Sequence, residues 1–195
     1  HSVTRGDSPA LDRALSEALY NDTDMARAAR IEFVESNCQL DDYCFELLQL
    51  LRPELAKVSV VVPNYNYEAC MPERLASIFD QDMPVFEIIV LDDCSSEGSV
   101  KMIEHCAQVA GRKIRLVTNE KNSGNVFKQW ELGLSLCRGS KVWIAEADDL
   151  SSPSFLSRSV ASFKKDTCLS FTDSAQVDIQ GKPLADSYDY YYFAE

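Results

Sequence analysis

The chain has 195 residues, 46% hydrophobic and 26% charged, with a formal net charge of −12. That balance excludes a disordered chain, and it excludes a nucleic-acid binder, because no cationic field is present to hold a phosphate backbone. Seven scattered cysteines without a C-x-x-C pair, and only two histidines, argue against a zinc site, a disulfide framework or histidine-based catalysis.

Residues 8–52 read as helical. Ser8 before Pro9 gives an N-cap followed by a proline suited to the first helical position, and Leu11, Leu15 and Leu19 recur at i+4. Thr23 or Asp24 caps a second helix, and Asp41 or Asp42 starts a third that runs through Phe45 and Leu48 and stops before Pro53. Residues 1–55 are thus expected to be a helical extension that packs or spaces, without chemistry of its own.

The pattern changes at Val58. VSVVVPNYN is a β-branched run of the kind buried on both faces of a parallel sheet. Helical spacing follows over 72–81, a second buried strand over 86–96 and a helix closed by glycine over 99–111. A third strand is expected over 113–120, a helix over 124–139, a fourth strand in SKVWIAEADD, a helix over 152–166 and a fifth strand in TCLSFTDSAQVD. Regular alternation of strand and helix predicts an α/β domain with a mostly parallel sheet over 56–195. No run approaches the roughly 20 apolar residues that cross a bilayer, and no signal segment is evident.

In open α/β sheets ligands bind at the carboxyl ends of the strands, and the polar clusters of this chain fall there. The first strand ends in Pro63, Asn64 and Tyr65, the second in Asp92 and Asp93, and the third in Asn119, Lys121 and Asn122. The fourth ends in Glu146, Asp148 and Asp149. Three carboxylates within four residues repel one another and raise their pKa values unless a cation joins them. Glu146 and Asp148, two apart, fall on one side of the strand end and suit a hard ion such as Mg2+ or Mn2+, which completes its shell with water and phosphate oxygens. The paired acids Asp92 and Asp93 also fit a helix cap, and Tyr65 also fits simple packing. Capping explains one of the acids after the fourth strand but not three. Lys128 fits a solvated helix position as well as a phosphate contact. No G-x-G-x-x-G follows the first strand and no G-x-x-x-x-G-K-[ST] occurs, which disfavours a dinucleotide fold and excludes a P-loop.

The pieces VSVVVPNYNY, SIFDQ, FEIIVLDDCSSE, NEKNSGN and EADDLSSP occur in one order from residue 58 to about 155. In that combination the sequence resembles the family 2 glycosyltransferases. The resemblance implies a GT-A, Rossmann-like fold and an inverting transfer of a sugar from a nucleoside diphosphate sugar, UDP- or dTDP-linked, to a saccharide or lipid-linked saccharide acceptor. It implies Mn2+ or Mg2+ as cofactor. Glu146-Ala147-Asp148 stands where the family has D-x-D, with glutamate replacing the first aspartate. By analogy Asp148 ligates the metal, Glu146 reaches metal or ribose, and Asp149 supports the loop. Pro63, Tyr65 and Asp93 match positions lining the base pocket, with Asn64 and Asp92 from the same strand ends. Asn122 matches a position near the base, and Lys128 a position near the phosphates. WIAEADDL and FTDSAQVD look most like members acting on bacterial surface polysaccharides, often rhamnosyl transferases, which implies a cytoplasmic site at the inner face of the membrane. The family's catalytic base lies in the acceptor half that follows the metal motif. Here Asp173, Asp178, Asp186 and Asp189 are the late acids, and none sits in a recognisable family motif. The expectation is a truncated catalytic domain whose base lies outside the chain, with a non-catalytic nucleotide-binding or interaction module of the same fold as the alternative. Tyr188 to Tyr192 are then expected to cover apolar surface belonging to the acceptor half.

Overall fold

In the computed structural model, residues 40–52, 55–172, 174–178, 182 and 184 are described. The two helices expected before residue 40, the acids Asp173, Asp186 and Asp189 and the tyrosine run lie outside them. The chain divides into two compact units, His1–Leu55 and Ala56–Glu195. In the first, α1 runs over Leu40–Leu51, and the Gln49 amide donates to the Leu55 carbonyl at 2.7 Å. The expected end of this helix before Pro53 is where it stops, because the residue before a proline is steered out of the helical region.

The second unit is built from β1 (Val58–Asn64), α2 (Met71–Phe79), β2 (Glu87–Asp92), α3 (Ser99–Ala110), β3 (Arg115–Thr118), α4 (Val126–Leu136), β4 (Lys141–Ile144) and α5 (Phe155–Ser162). The strands are all parallel, in the order β3-β2-β1-β4. β1 is central and buried at all seven positions, Ser59 and Asn64 included, in keeping with its β-branched run. The crossovers through α2 and α3 move one way along the sheet and the one through α4 moves back. Right-handed connections therefore put α4 on the opposite face from α2 and α3. On the α4 face, Val61, Ile89 and Leu91 meet Leu132, Leu136 and Ile144.

Gly133 sets how closely α4 lies on the sheet. A Cβ there would come within 2.4 Å of Val61 Cγ1 and 3.2 Å of Leu91 Cδ1. Gly133→Ala is therefore expected to destabilise the domain by about 1–3 kcal/mol, the usual cost of overpacking a core. Urea denaturation would measure it; an unchanged midpoint would mean that the helix shifts freely.

Two elements differ from the sequence reading. β4 ends at Ile144, so the acids follow the strand in a turn rather than ending it. The fifth strand expected in TCLSFTDSAQVD is not formed among the described residues. Leu169 and Phe171 are exposed, and the pairing there is local, with Asp178 N–H on the Lys182 carbonyl and Leu184 N–H on the Gln176 carbonyl. Strand propensity needs a neighbouring edge to pair with, and this segment meets none within the described sheet.

Candidate functional site

The reversal of crossover direction between β1 and β4 opens a crevice at the carboxyl ends of the strands. Alternation along β2 sends its two terminal acids to opposite faces. Asp92, on the α2/α3 face, is 1% exposed and accepts from Asn64 Nδ2 at 2.7 Å, Ser95 Oγ at 2.6 Å and Ser95 N–H at 3.0 Å. Both its oxygens are thus spent tying the end of β1 to the loop after β2. That loop is laced further to the loop after β1. Asn66 N–H donates to Ser95 Oγ, Ser96 N–H to Asn66 Oδ1, Glu68 N–H to Glu97 Oε2 and Gly98 N–H to Glu68 Oε2. Asn66 and Cys94 take positive φ, 60° and 64°, at the two turns this lacing imposes.

Asp93 faces α4 and is 5% exposed. Its Oδ1 accepts from Asn119 Nδ2 at 2.7 Å and Gln129 Nε2 at 2.8 Å, and its Oδ2 from Ser123 Oγ at 2.7 Å; Ser123 N–H is shared between the two oxygens. Burial pushes its pKa up, but the hydrogen bonds from Ser123 and Asn119, with the charge of Lys128, outweigh it and hold the carboxyl below the ordinary range. One carboxylate thereby gathers β2, the loop after β3 and α4. The Gln129 carboxamide oxygen is buried and has no donor.

Beyond β4, Ala145 and Ala147 are buried while Glu146 is half-buried and Asp148 and Asp149 are exposed. The Trp130 indole N–H donates to Glu146 Oε1 at 2.7 Å. The Glu146 pKa is raised, by burial first and then by Asp148 and Asp149, against the opposing Trp130 bond and Arg74 charge. Tyr67 is raised as well, chiefly by the Asp148 carboxylate beside its hydroxyl. Beneath the loop lies Arg74 of α2, 1% exposed, with Nη1 on Ser151 Oγ at 3.0 Å.

Of the other residues singled out from sequence, Pro63 is buried in β1 opposite Leu91 and Tyr65 is exposed at the strand end. Asn122 turns its Oδ1 to the Gly124 N–H, and Lys128 Nζ lies 3.4 Å from the Ser123 carbonyl. The fold thus assembles Asp93, Asn119, Ser123, Lys128 and Gln129 as one group, and Glu146 with Trp130 and Tyr67 as another near Asp148. Asp92 and Asn64 stand apart from both, locked beneath the loops. Sequence reading missed Tyr67, Arg74, Gln129 and Trp130. Only Arg74 left a legible signal, as a cation on the helix face otherwise made by Met71, Leu75 and Ile78.

Among the described residues no group of three His, Cys, Asp or Glu side chains is gathered to hold a metal by itself. The donor set still fits a hard divalent ion. Such ions take one or two protein carboxylates, and Glu146 and Asp148 stand two apart after β4, where the charges of Asp148 and Asp149 add to the burial that raises the Glu146 pKa.

Residues 59–192 match the glycosyl transferase family 2 model. The chain belongs to this family. Its parallel sheet with flanking helices is the GT-A, Rossmann-like arrangement. The family 2 chain is 34% identical over 97 residues to the poly(ribitol-phosphate) β-N-acetylglucosaminyltransferase TarS of Staphylococcus aureus, covering 49% of this chain and 17% of TarS. It is 29% identical over 128 residues to the putative teichuronic acid biosynthesis glycosyltransferase TuaG of Bacillus subtilis, covering 65% of this chain and 50% of TuaG. Among solved structures, S. aureus TarS in complex with UDP superposes with a TM-score of 0.50 at 31% identity, covering 54% of this chain and 31% of the other. A mannosyltransferase from Pyrobaculum calidifontis in complex with GDP-Man and Mn2+ gives a TM-score of 0.50 at 27% identity, with coverages of 54% and 31%. The match therefore spans half or less of each relative's length. Among the described residues no helix is long and apolar enough to cross a membrane.

Proposed function

We propose that this chain holds a nucleoside diphosphate sugar at the carboxyl edge of its sheet and serves as the donor side of a metal-dependent, inverting glycosyl transfer. The observation that carries this is the placing of the Asp93 group and the Glu146–Asp149 acids around the crevice where the crossovers reverse direction. The complexes of relatives with UDP, UDP-GlcNAc and GDP-Man support a nucleotide-sugar donor. Tyr65 and Pro63 would flank the base, Asn122 and the Asp93 group would frame it, and Lys128 would lie toward the phosphates. Asp148, with Glu146, would hold the divalent ion. Such an ion, when bound, neutralises charge on a diphosphate that leaves as the acceptor hydroxyl attacks the anomeric carbon. Tyr67 and Trp130 fix the orientation of the two acids. The acceptor proposed is a saccharide or lipid-linked saccharide of a bacterial surface polymer, met at the cytoplasmic face of the membrane. The relatives' names support that class.

A thermal-shift panel of UDP, dTDP and GDP, each with Mn2+, Mg2+ or a chelator, tests the reading. One nucleotide with metal should raise stability by about 2.7 kcal/mol at a hundredfold excess over its Kd. For a chain of this size that is roughly 5–10 °C in Tm. A flat panel in the full chain would overturn the donor-site assignment.

A further inference from the structure

We propose that Asn119, rather than Asp93, reads the nucleobase of the donor, its side-chain oxygen accepting a ring N–H, and that Asp93 is the positioning residue that fixes that oxygen as the group on offer. The proposal deepens the donor-site reading above and rests on it.

A carboxylate has about four lone-pair positions and can only accept. At Asp93 four protein donors are already in place. The Asn119 and Gln129 amides bond Oδ1, the Ser123 hydroxyl bonds Oδ2, and the Ser123 N–H is shared between the two oxygens. With 5% of the residue exposed, a base would have to displace one of these donors to reach the carboxylate. The saturated carboxylate has a second effect. A carboxamide donates from one end and accepts at the other, and a partner that only accepts decides which end it keeps. Asn119 and Gln129 must both turn their NH2 groups to Asp93, so both oxygens are left over. Gln129 also gives Nε2 to Ser123 Oγ at 3.1 Å, and its Oε1 is sealed in the interior without a donor. Asn119 differs. It is half-buried just beyond β3, anchored by its own N–H on the Asp92 carbonyl at 2.8 Å. Its Oδ1 meets no donor among the described residues and is not one of the sealed atoms. The acceptor that this network leaves for a ligand is therefore the Asn119 oxygen. Held in one orientation, it selects a base whose ring N–H stands beside a carbonyl, as in uracil, thymine and guanine. Cytosine and adenine place a nitrogen lone pair at that edge, and acceptor would face acceptor.

Calorimetry with Mn2+ and UDP, dTDP, GDP, CDP and ADP tests this. Wild type should bind the best of UDP, dTDP and GDP about tenfold or more tighter than its amino counterpart, CDP for the pyrimidines and ADP for GDP, the factor that one hydrogen bond carries. Asn119→Ala should weaken that nucleotide by a similar factor and leave the amino counterpart unchanged, so the preference collapses. Asp93→Asn should collapse it too, because an amide at position 93 can donate to the Asn119 oxygen and let that side chain turn over. A merely structural loss would instead weaken every nucleotide by one factor and keep the preference. Preference retained in Asn119→Ala would overturn the proposal, since Asp93 would then be the reader. Should Asn119→Ala fail to fold, wild type decides, because equal affinity for the two counterparts contradicts the role. No binding of any nucleotide would defeat the donor-site reading and this proposal together; metal-dependent binding without the preference would defeat this proposal alone.

Discussion

Asp148→Ala is expected to abolish metal-dependent nucleotide binding while leaving the fold intact. Asp148 is exposed in a turn beyond β4, so its removal should move stability by no more than about 0.5 kcal/mol. Its substitution even relieves repulsion on Glu146 and withdraws the charge that raises Tyr67. Binding is another matter. Losing an outer-sphere partner of a metal typically costs about 10–100-fold in affinity, and losing a direct carboxylate ligand of an ion that takes only one or two should cost at least the upper figure. Calorimetry with Mn2+ and the nucleotide chosen by the thermal panel gives the comparison. Equal nucleotide affinity in wild type and variant would remove Asp148 from the site.

Asp93→Ala should damage both binding and fold. Four donors converge on that carboxylate, and its removal strands the Asn119 and Gln129 amides and the Ser123 N–H and hydroxyl in a largely buried place. Removing one side of a buried charged network costs about 3–5 kcal/mol, so a large loss of Tm is expected. Nucleotide affinity should fall as well, while affinity for the divalent ion alone should not, since the acids of the β4 turn are separate. The carboxyl also makes stability depend on pH. Its folded pKa lies below the ordinary value, so the stability it contributes is complete above the unfolded pKa, about 3.9, and is lost as pH falls through the lower folded value. Glu146, with its pKa raised, works in the opposite direction and gains a proton in the folded state first. The difference between wild type and Asp93→Asn therefore isolates Asp93. The stability gap should be widest near neutral pH and close toward pH 3, and a gap independent of pH would mean that Asp93 binds its donors no better charged than neutral.

The parallel sheet was legible because β1 is a β-branched run interrupted only by Ser59 before Pro63, because β2 is an apolar run ended by acids, and because the helices between them keep a separate spacing. The carboxyl edge was legible as a set of strand-end polar clusters, and Glu146 was plainly a glutamate where the family resemblance expects an aspartate. The lengths of β4 and of the expected fifth strand were not. β4 pairs with β1 over four residues, Lys141 to Ile144, and leaves it three residues before β1 ends, while the segment after α5 finds no edge of the described sheet to pair with.

What the sequence by itself determined is the class of fold, the family, and which strand ends carry carboxylates, all of which follow from local periodicity and motif order. What only the tertiary structure decided is how those carboxylates are used. Asp92 and Asp93 are neighbours in sequence, but the pleat turns one into a sealed network with Asn64 and Ser95 and the other toward α4 and its glutamine. Trp130 reaches Glu146 from a helix sixteen residues earlier, and Arg74 bonds Ser151, just after the acids, from 77 residues away. Electrostatic fields and hydrogen bonds depend on distance in space, which the chain's order does not encode until crossover handedness and the switch in strand order bring those residues together.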